Sequence, residues 1–204
     1  MYNVIFGTVL LLGVFWLYAQ RQRRNRRVVD ESFRRWQSHM IAILIEIERA
    51  IADESSLIYD AGGLPENLIY LKGVISRAEP DPVLDGSRYH GRILGYPLKC
   101  QMQGYLTGAL LWRARMLESA NSRADQLERN IRMLAFTQRD AVPLTGEEIK
   151  ALRGQVDVLR FEARAADRTF HNLYMAAAWC GFAVRESPAS YLGSGTGEGA
   201  RTHH

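Results

Sequence analysis

Asp167 and His171 stand four residues apart, so on a helix they share one face and could ligate a single metal ion. A metal centre needs more ligands than two. The sequence has no H-E-x-x-H, no Glu-x-x-His pair of the di-iron type and no C-x-x-C-H haem attachment. A haem held between His39 and His171 in a helical bundle would be a second chemistry. A metal- or cofactor-binding bundle enzyme is therefore an alternative reading. The main expectation is no metal, no cofactor and ordinary surface or half-buried histidines.

Other catalytic sets are thinner still. Cys180 falls on an apolar spacing, where a thiol packs as a small hydrophobe. Cys100 sits near a helix start, where a thiolate is favoured, but no base stands at a readable spacing. Two cysteines also exclude a disulfide scaffold and a four-cysteine zinc site. No G-x-G-x-x-G, Walker A or G-x-S-x-G motif is present. Glu46 and Glu48 are two apart and do not face each other on a helix. No catalytic residues emerge, and the chain is not expected to be an enzyme.

The remaining chemistry is cationic. The 204 residues carry a formal charge of +4 and a pI near 9.2. Seven arginines and two acids fall between Gln20 and Arg35, a local +5 that leaves −1 for all other residues. Read alone, Arg21, Arg23, Arg24, Arg26 and Arg27 resemble an arginine-rich RNA-binding stretch. A membrane-tethered nucleic-acid binder is thus a second alternative. The residues before the block point elsewhere. Tyr2 to Ala19 contain no charge. As a helix they would cover about 27 Å, close to the ~30 Å hydrocarbon core of a bilayer. Tyr2 at one end and Trp16 and Tyr18 at the other are placed as interfacial anchors. A cleaved signal peptide would carry its positive charge before the apolar run, and here the charge follows. The arginines then read as a membrane collar at residues 20–27, contacting lipid. Nucleic acid is not an expected partner.

The positive-inside rule orients such a span. The N-terminus is expected outside and the remainder in the cytoplasm, at a plasma or bacterial inner membrane. Reduced thiols agree with that side.

The elements that would position everything else are helices. Val29, Phe33, Trp36, Met40, Ile43, Ile47 and Ala50 alternate spacings of four and three, a heptad seam over 28–60. Ile41, Leu44, Ile45 and Ile51 should widen its buried face. Gly62, Gly63 and Pro65 break it, and a short helix is expected at 66–77. The turn-rich stretch 79–97 reads as the longest loop. Around it, Tyr89, Tyr96, Tyr105 and Trp112 are the aromatics to consider for binding, with core packing beneath the loop as the favoured reading. Helical spacing resumes over 98–140, with Arg113 interrupting one apolar slot. Gly104 and Gly108 suit close helix packing. Thr145 and Glu148 form a capping box before the most regular helix, 146–186. Its seam runs through Ile149, Leu152, Val156, Leu159, Phe170 and Leu173. Residues 188–204 read as a flexible tail.

The expected fold is all-α: a transmembrane helix at 1–19, the collar, then a cytoplasmic three- or four-helix bundle (28–187) containing a long antiparallel helical hairpin. The expected role is an accessory subunit, adaptor or scaffold of a membrane complex. Its partners would be membrane lipid and either another protein or a second copy, met through the long helices.

Overall fold

A computed structural model of the chain describes residues 2–60, 67–80, 89–137 and 145–193, with side chains at 15–54, 67–80, 89, 92–134 and 145–193. Among the described residues all regular structure is helical. The order is α1 (Tyr2–Asp60), α2 (Asn67–Arg77), α3 (Tyr89–Ile93), α4 (Gly95–Thr137), α5 (Gly146–Trp179) and α6 (Ala189–Leu192). The chain is all-α, as its periodicity predicts.

Helix α1 runs for 59 residues through the apolar run, the arginine block and the heptad seam, with one non-helical residue, Glu54, at φ −151 and ψ 76. The seam buries Phe33, Trp36, Met40, Ile43, Ile47 and Ala50. The widening is narrower than expected. Leu44 is buried and Ile51 half-buried, but Ile41 and Ile45 face out. Helix α2 lies back along α1. Gln37 donates from Nε2 to the Ile75 carbonyl at 3.1 Å, and Lys72 pairs with Glu48. Leu68, Leu71 and Ile75 make its buried face.

Helices α4 and α5 form an antiparallel hairpin. Gln103 bonds both backbone groups of Ala183, while Asn121 and Asp125 meet Arg160. Helix α1 lies along α4 in the same direction, with Tyr89 against Trp36, Arg113 on Glu46 and Arg115 on Glu54. Among the described side chains of α1, Glu54 makes the last of these contacts. The hairpin continues from Arg115 to Thr137, about 33 Å at 1.5 Å per residue, as two helices.

Three boundaries differ from the sequence expectation. The stretch 79–97 is not one loop: α3 occupies 89–93 and α4 begins at Gly95, which sits at φ 67. Pro97 stands in the first turn of α4, where its missing N–H costs nothing. Helix α5 stops at Trp179, not near 186. The cause is Gly181, at φ 82. Phe182 N–H donates to the Ala177 carbonyl at 3.0 Å and Gly181 N–H to that of Ala178 at 2.9 Å, a Schellman closure. The apolar spacing continues through Cys180 to Val184 and hides this stop. Finally, 188–193 are not a free tail. Tyr191 is buried, its ring lies edge-on to Phe170 at 5.8 Å, and its hydroxyl accepts from Arg185 N–H at 2.9 Å. The remainder of the expected tail, 194–204, lies outside the described residues.

Candidate membrane interface and bundle surfaces

Helix α1 changes character within a few residues. Phe15, Trp16, Leu17 and Tyr18 are 72%, 62%, 60% and 63% exposed. Successive helical residues turn by about 100°, so these four look out in every direction and no described part of the chain covers any of them. Arg21, Arg23, Arg24, Arg26 and Arg27 follow, all exposed. At the same step they too are spread round the whole axis. The helix thus passes from apolar on all sides to cationic on all sides. An amphipathic helix lying in an interface would keep its charge on one face. Tyr2 and the other side chains at 1–14 of the expected span lie outside the described residues, and among the described residues no helix is long and apolar enough to cross a membrane.

The α5 seam residues fall into two groups. Val156, Leu159, Phe170 and Leu173 are buried, whereas Ile149 and Leu152, near the hairpin tip, are half-buried. Thr145 caps the helix as expected. Its hydroxyl accepts from Glu148 N–H at 3.3 Å, and its own N–H donates to the Glu148 carboxylate at 2.8 Å. Those bonds hold the Glu148 carboxyl below its ordinary range.

The aromatics around the former loop divide. Tyr89, Tyr105 and Trp112 are core residues, and Tyr96 is 80% exposed. Tyr89 packs edge-on against Phe33 at 5.3 Å. Arg113, which interrupts the apolar spacing, is not a break. It reaches α1 and donates from Nε and Nη2 to Glu46 Oε2 at 2.9 and 2.5 Å, while its guanidinium covers Trp112 at 4.2 Å. Both partners are mostly buried, so a carboxylate and an arginine from different helices are joined inside the bundle. Sequence reasoning missed this pair. Its signal was an arginine at a seam position, which must find an anion or leave the seam. Glu46 and Glu48 indeed face different neighbours, α4 and α2.

The metal and haem candidates are not gathered. The ring of His39 lies tilted against Trp179, centroids 5.1 Å apart, and burial followed by the nearby Arg35 charge lowers its pKa. His171 is exposed and lies eight residues from Trp179, about 12 Å along α5. Asp167 is exposed on the same face as His171. No cluster of three or more potential ligands occurs among the described residues. Cys180 is buried in the core, and burial pushes its thiol up to about 12. Cys100 is exposed and free.

Two other surfaces stand out. Val158 and Phe161 on α5 are 57% and 62% exposed, on the side away from the seam. Beside Glu54, a hollow of about 490 Å³ opens among Glu54, Trp112, Met116, Arg123, Glu162 and Ala166. No protein-family model, curated protein or solved structure matches the chain.

Proposed function

We propose that the chain is a single-pass membrane-anchored helical protein whose bundle acts as an accessory subunit, adaptor or scaffold of a membrane complex. The observation that carries this reading is the change in α1 between Tyr18 and Arg21. A helix apolar all round is at rest only in an apolar medium. A ring of cations directly after it suits anionic headgroups, at about 1 kcal/mol for each arginine near the surface. The charge asymmetry favours an outside N-terminus and a cytoplasmic bundle. The exposed Val158 and Phe161 support the scaffold part, because large apolar residues on the outer face of a long helix suit a protein partner.

Two measurements test this reading. Membrane fractions extracted with carbonate should retain the full chain, and a C-terminal reporter should be active only in its cytoplasmic form. Recovery in the soluble fraction removes the anchor, and an outward reporter reverses the orientation. For the scaffold part, a photo-crosslinker placed at Phe161 in native membranes should give a discrete adduct; its absence, with a crosslinker at Ile45 equally silent, argues against a partner on these faces.

A further inference from the structure

Helix α5 carries a second row with the same three–four spacing as its seam, on the opposite side. Ala151, Gly154, Val158, Phe161, Ala165 and Arg168 make it. At about 100° per residue this row points roughly 150° away from Val156, Leu159, Ala163 and Ala166. All of it is exposed except Ala165, which is half-buried. Val158 and Phe161 are its large members, 57% and 62% exposed. The face is not flat. A Cβ added at Gly154 would meet nothing within 4 Å, and a hollow of about 430 Å³ opens beside Ala151, Gly154 and Val158. The charges along the row are patterned. Asp157 and Arg164, seven apart, border one side; Gln155 and Glu162, also seven apart, border the other, and all four are exposed.

We infer that this row pairs with the same row of a second copy, antiparallel, about a two-fold axis between Val158 and Phe161. Val158 then faces the second copy's Phe161 and Gly154 faces its Ala165, each contact occurring twice. The recess beside Gly154 gives the incoming Phe161 room. The bordering charges choose the arrangement. In an antiparallel pair each border meets its own kind, so Asp157 lies beside the second copy's Arg164, twice, and Glu162 beside Gln155, whose amide can donate to it. Arg168 falls opposite Ala151, within a turn of Glu147. A parallel pair would instead set Asp157 beside Glu162. A slip of one heptad would oppose Asp157 to Asp157 in one direction and Arg164 to Arg164 in the other. Of these arrangements only the register centred between Val158 and Phe161 joins opposite charges. Apolar burial supplies the affinity, and the exposed pairs set orientation and register. This pairing rests on the reading of Val158 and Phe161 as a partner surface and names the partner; it does not need the anchor. Where the anchor holds, it has a consequence. Helix α1 runs with α4 and against α5, so the apolar ends of the two α1 helices point in opposite directions. Anchored copies then meet across two facing membrane surfaces.

The test uses the full chain in detergent, with its mass read by sedimentation over a concentration series. The parent should pass from monomer to dimer. Phe161→Glu should stay monomeric with an unchanged denaturation midpoint, because the side chain is exposed in the folded monomer. Asp157→Arg and Arg164→Asp should each weaken the dimer about tenfold, the worth of two exposed pairs, and the double swap should restore it. In a parallel pair Asp157→Arg alone would strengthen the dimer by meeting Glu162. That result, or no rescue in the double swap, overturns the antiparallel register. A parent that stays monomeric at every concentration overturns the pairing. The photo-crosslinker at Phe161 separates this pairing from the broader partner reading. An adduct of twice the chain's mass, joined near Val158, supports the second copy. An adduct with a different protein keeps the scaffold role and overturns the second copy. Vesicles carrying the full chain should cluster, and those carrying Phe161→Glu should stay dispersed. Dispersed parent vesicles that keep the chain through carbonate overturn the pairing across two membranes, whereas loss of the chain to carbonate defeats the anchor itself.

Discussion

The two halves of the α4–α5 hairpin are built from the same pair of helices on different terms. In the half beside α1, Met102, Tyr105, Ala109 and Trp112 on α4 are buried in the core shared with α1, and Phe170, Leu173 and Ala177 close it from α5. Beyond Glu54 the same three–four spacing on α4 reads Ser119, Arg123, Gln126 and Asn130, all exposed. The row that α1 covers turns polar within a turn or two of Arg115, which pairs with Glu54. What holds the far half is a narrower strip, the small Ala120, Ala124, Ala163 and Ala166 with Val156 and Leu159, flanked by Arg160 bonded to Asn121, Asp125 and Glu128. One half is a packed core and the other a two-helix arm that the core supports. The comparison also bears on the hollow at Glu54. Its α4 wall is already adapted to water, so a missing third helix is not required there.

The largest expected contrast comes from deleting bulk. Trp36 is fully buried and meets both Phe33 and Tyr89. Trp36→Ala should cost about 3–5 kcal/mol and disorder the near half. Leu159→Ala removes a residue still 9% exposed in the far half, and should cost about 2 kcal/mol, the low end for such truncations. Denaturant unfolding of the full chain in detergent gives both numbers. Hydrogen exchange should show far-half amides opening well before those of the near half in the parent protein. Equal protection across the hairpin would erase the distinction between core and arm.

The buried and exposed ion pairs should separate the halves next. Arg113 and Glu46 have side chains only 12% and 13% exposed. Arg113→Ala leaves a carboxylate without its main partner inside the bundle, although Arg49 still reaches Glu46 from the surface at 2.6 Å. A loss of about 2 kcal/mol is expected, below the usual range for a broken buried pair because of that second partner. In the far half, Arg160→Ala removes bonds whose partners are a third to a half exposed, and the expected loss is smaller than that of Arg113→Ala. A double-mutant cycle with Glu46→Ala should return a coupling for the first pair and little for Arg160 with Asp125.

This contrast explains what was legible in the sequence. Periodicity finds α1, α4 and α5 because each has an apolar seam. It does not say how many neighbours a helix has. On α4 the spacing of Leu106, Leu110, Leu117 and Ala120 shows one regular row, but not the second row beginning at Met102 and Tyr105; Tyr105 and Trp112 take the core positions that the favoured reading gives them. Its apolar stretch ends at Met116, and that length records the reach of α1. The seam of α5 concealed its own end, since Cys180, Phe182 and Val184 still pack after Gly181 has turned the chain. Tyr191 gave no periodic signal because α6 has only four residues. The change along α1 from apolar to cationic residues is the reverse case, since the residues that make it are consecutive in sequence and need no fold to be seen.

At the tip of the far half, Thr145→Ala should cost about 1 kcal/mol, as capping residues do. The loss is local to the start of α5, and exchange at Glu147 to Ile149 should quicken before global unfolding. Glu148 follows in pH. Its carboxyl is held below the ordinary value by Thr145, so the contribution of the box is present above about pH 4.5 and is lost as pH falls through the lowered pKa. In Thr145→Ala that acid-dependent component should disappear.

The smallest effect belongs to the near half and has a different pH window. His39 packs tilted against Trp179 with its pKa lowered from 6.5, first by burial and then by Arg35. The unfolded chain therefore binds the proton more readily than the folded one. The neutral ring's contribution is complete above pH 6.5 and declines as pH falls from there through the lowered value. His39 is only partly buried, so the decline should be shallow. His39→Gln should flatten the stability profile between pH 7 and 5 without changing the step attributed to Glu148. A profile that keeps its slope in His39→Gln would move the titration to another group. A slope that vanishes along with exchange protection at Trp179 alone would locate the pH-sensitive contact where α5 meets α1, in the half that has a core to disturb.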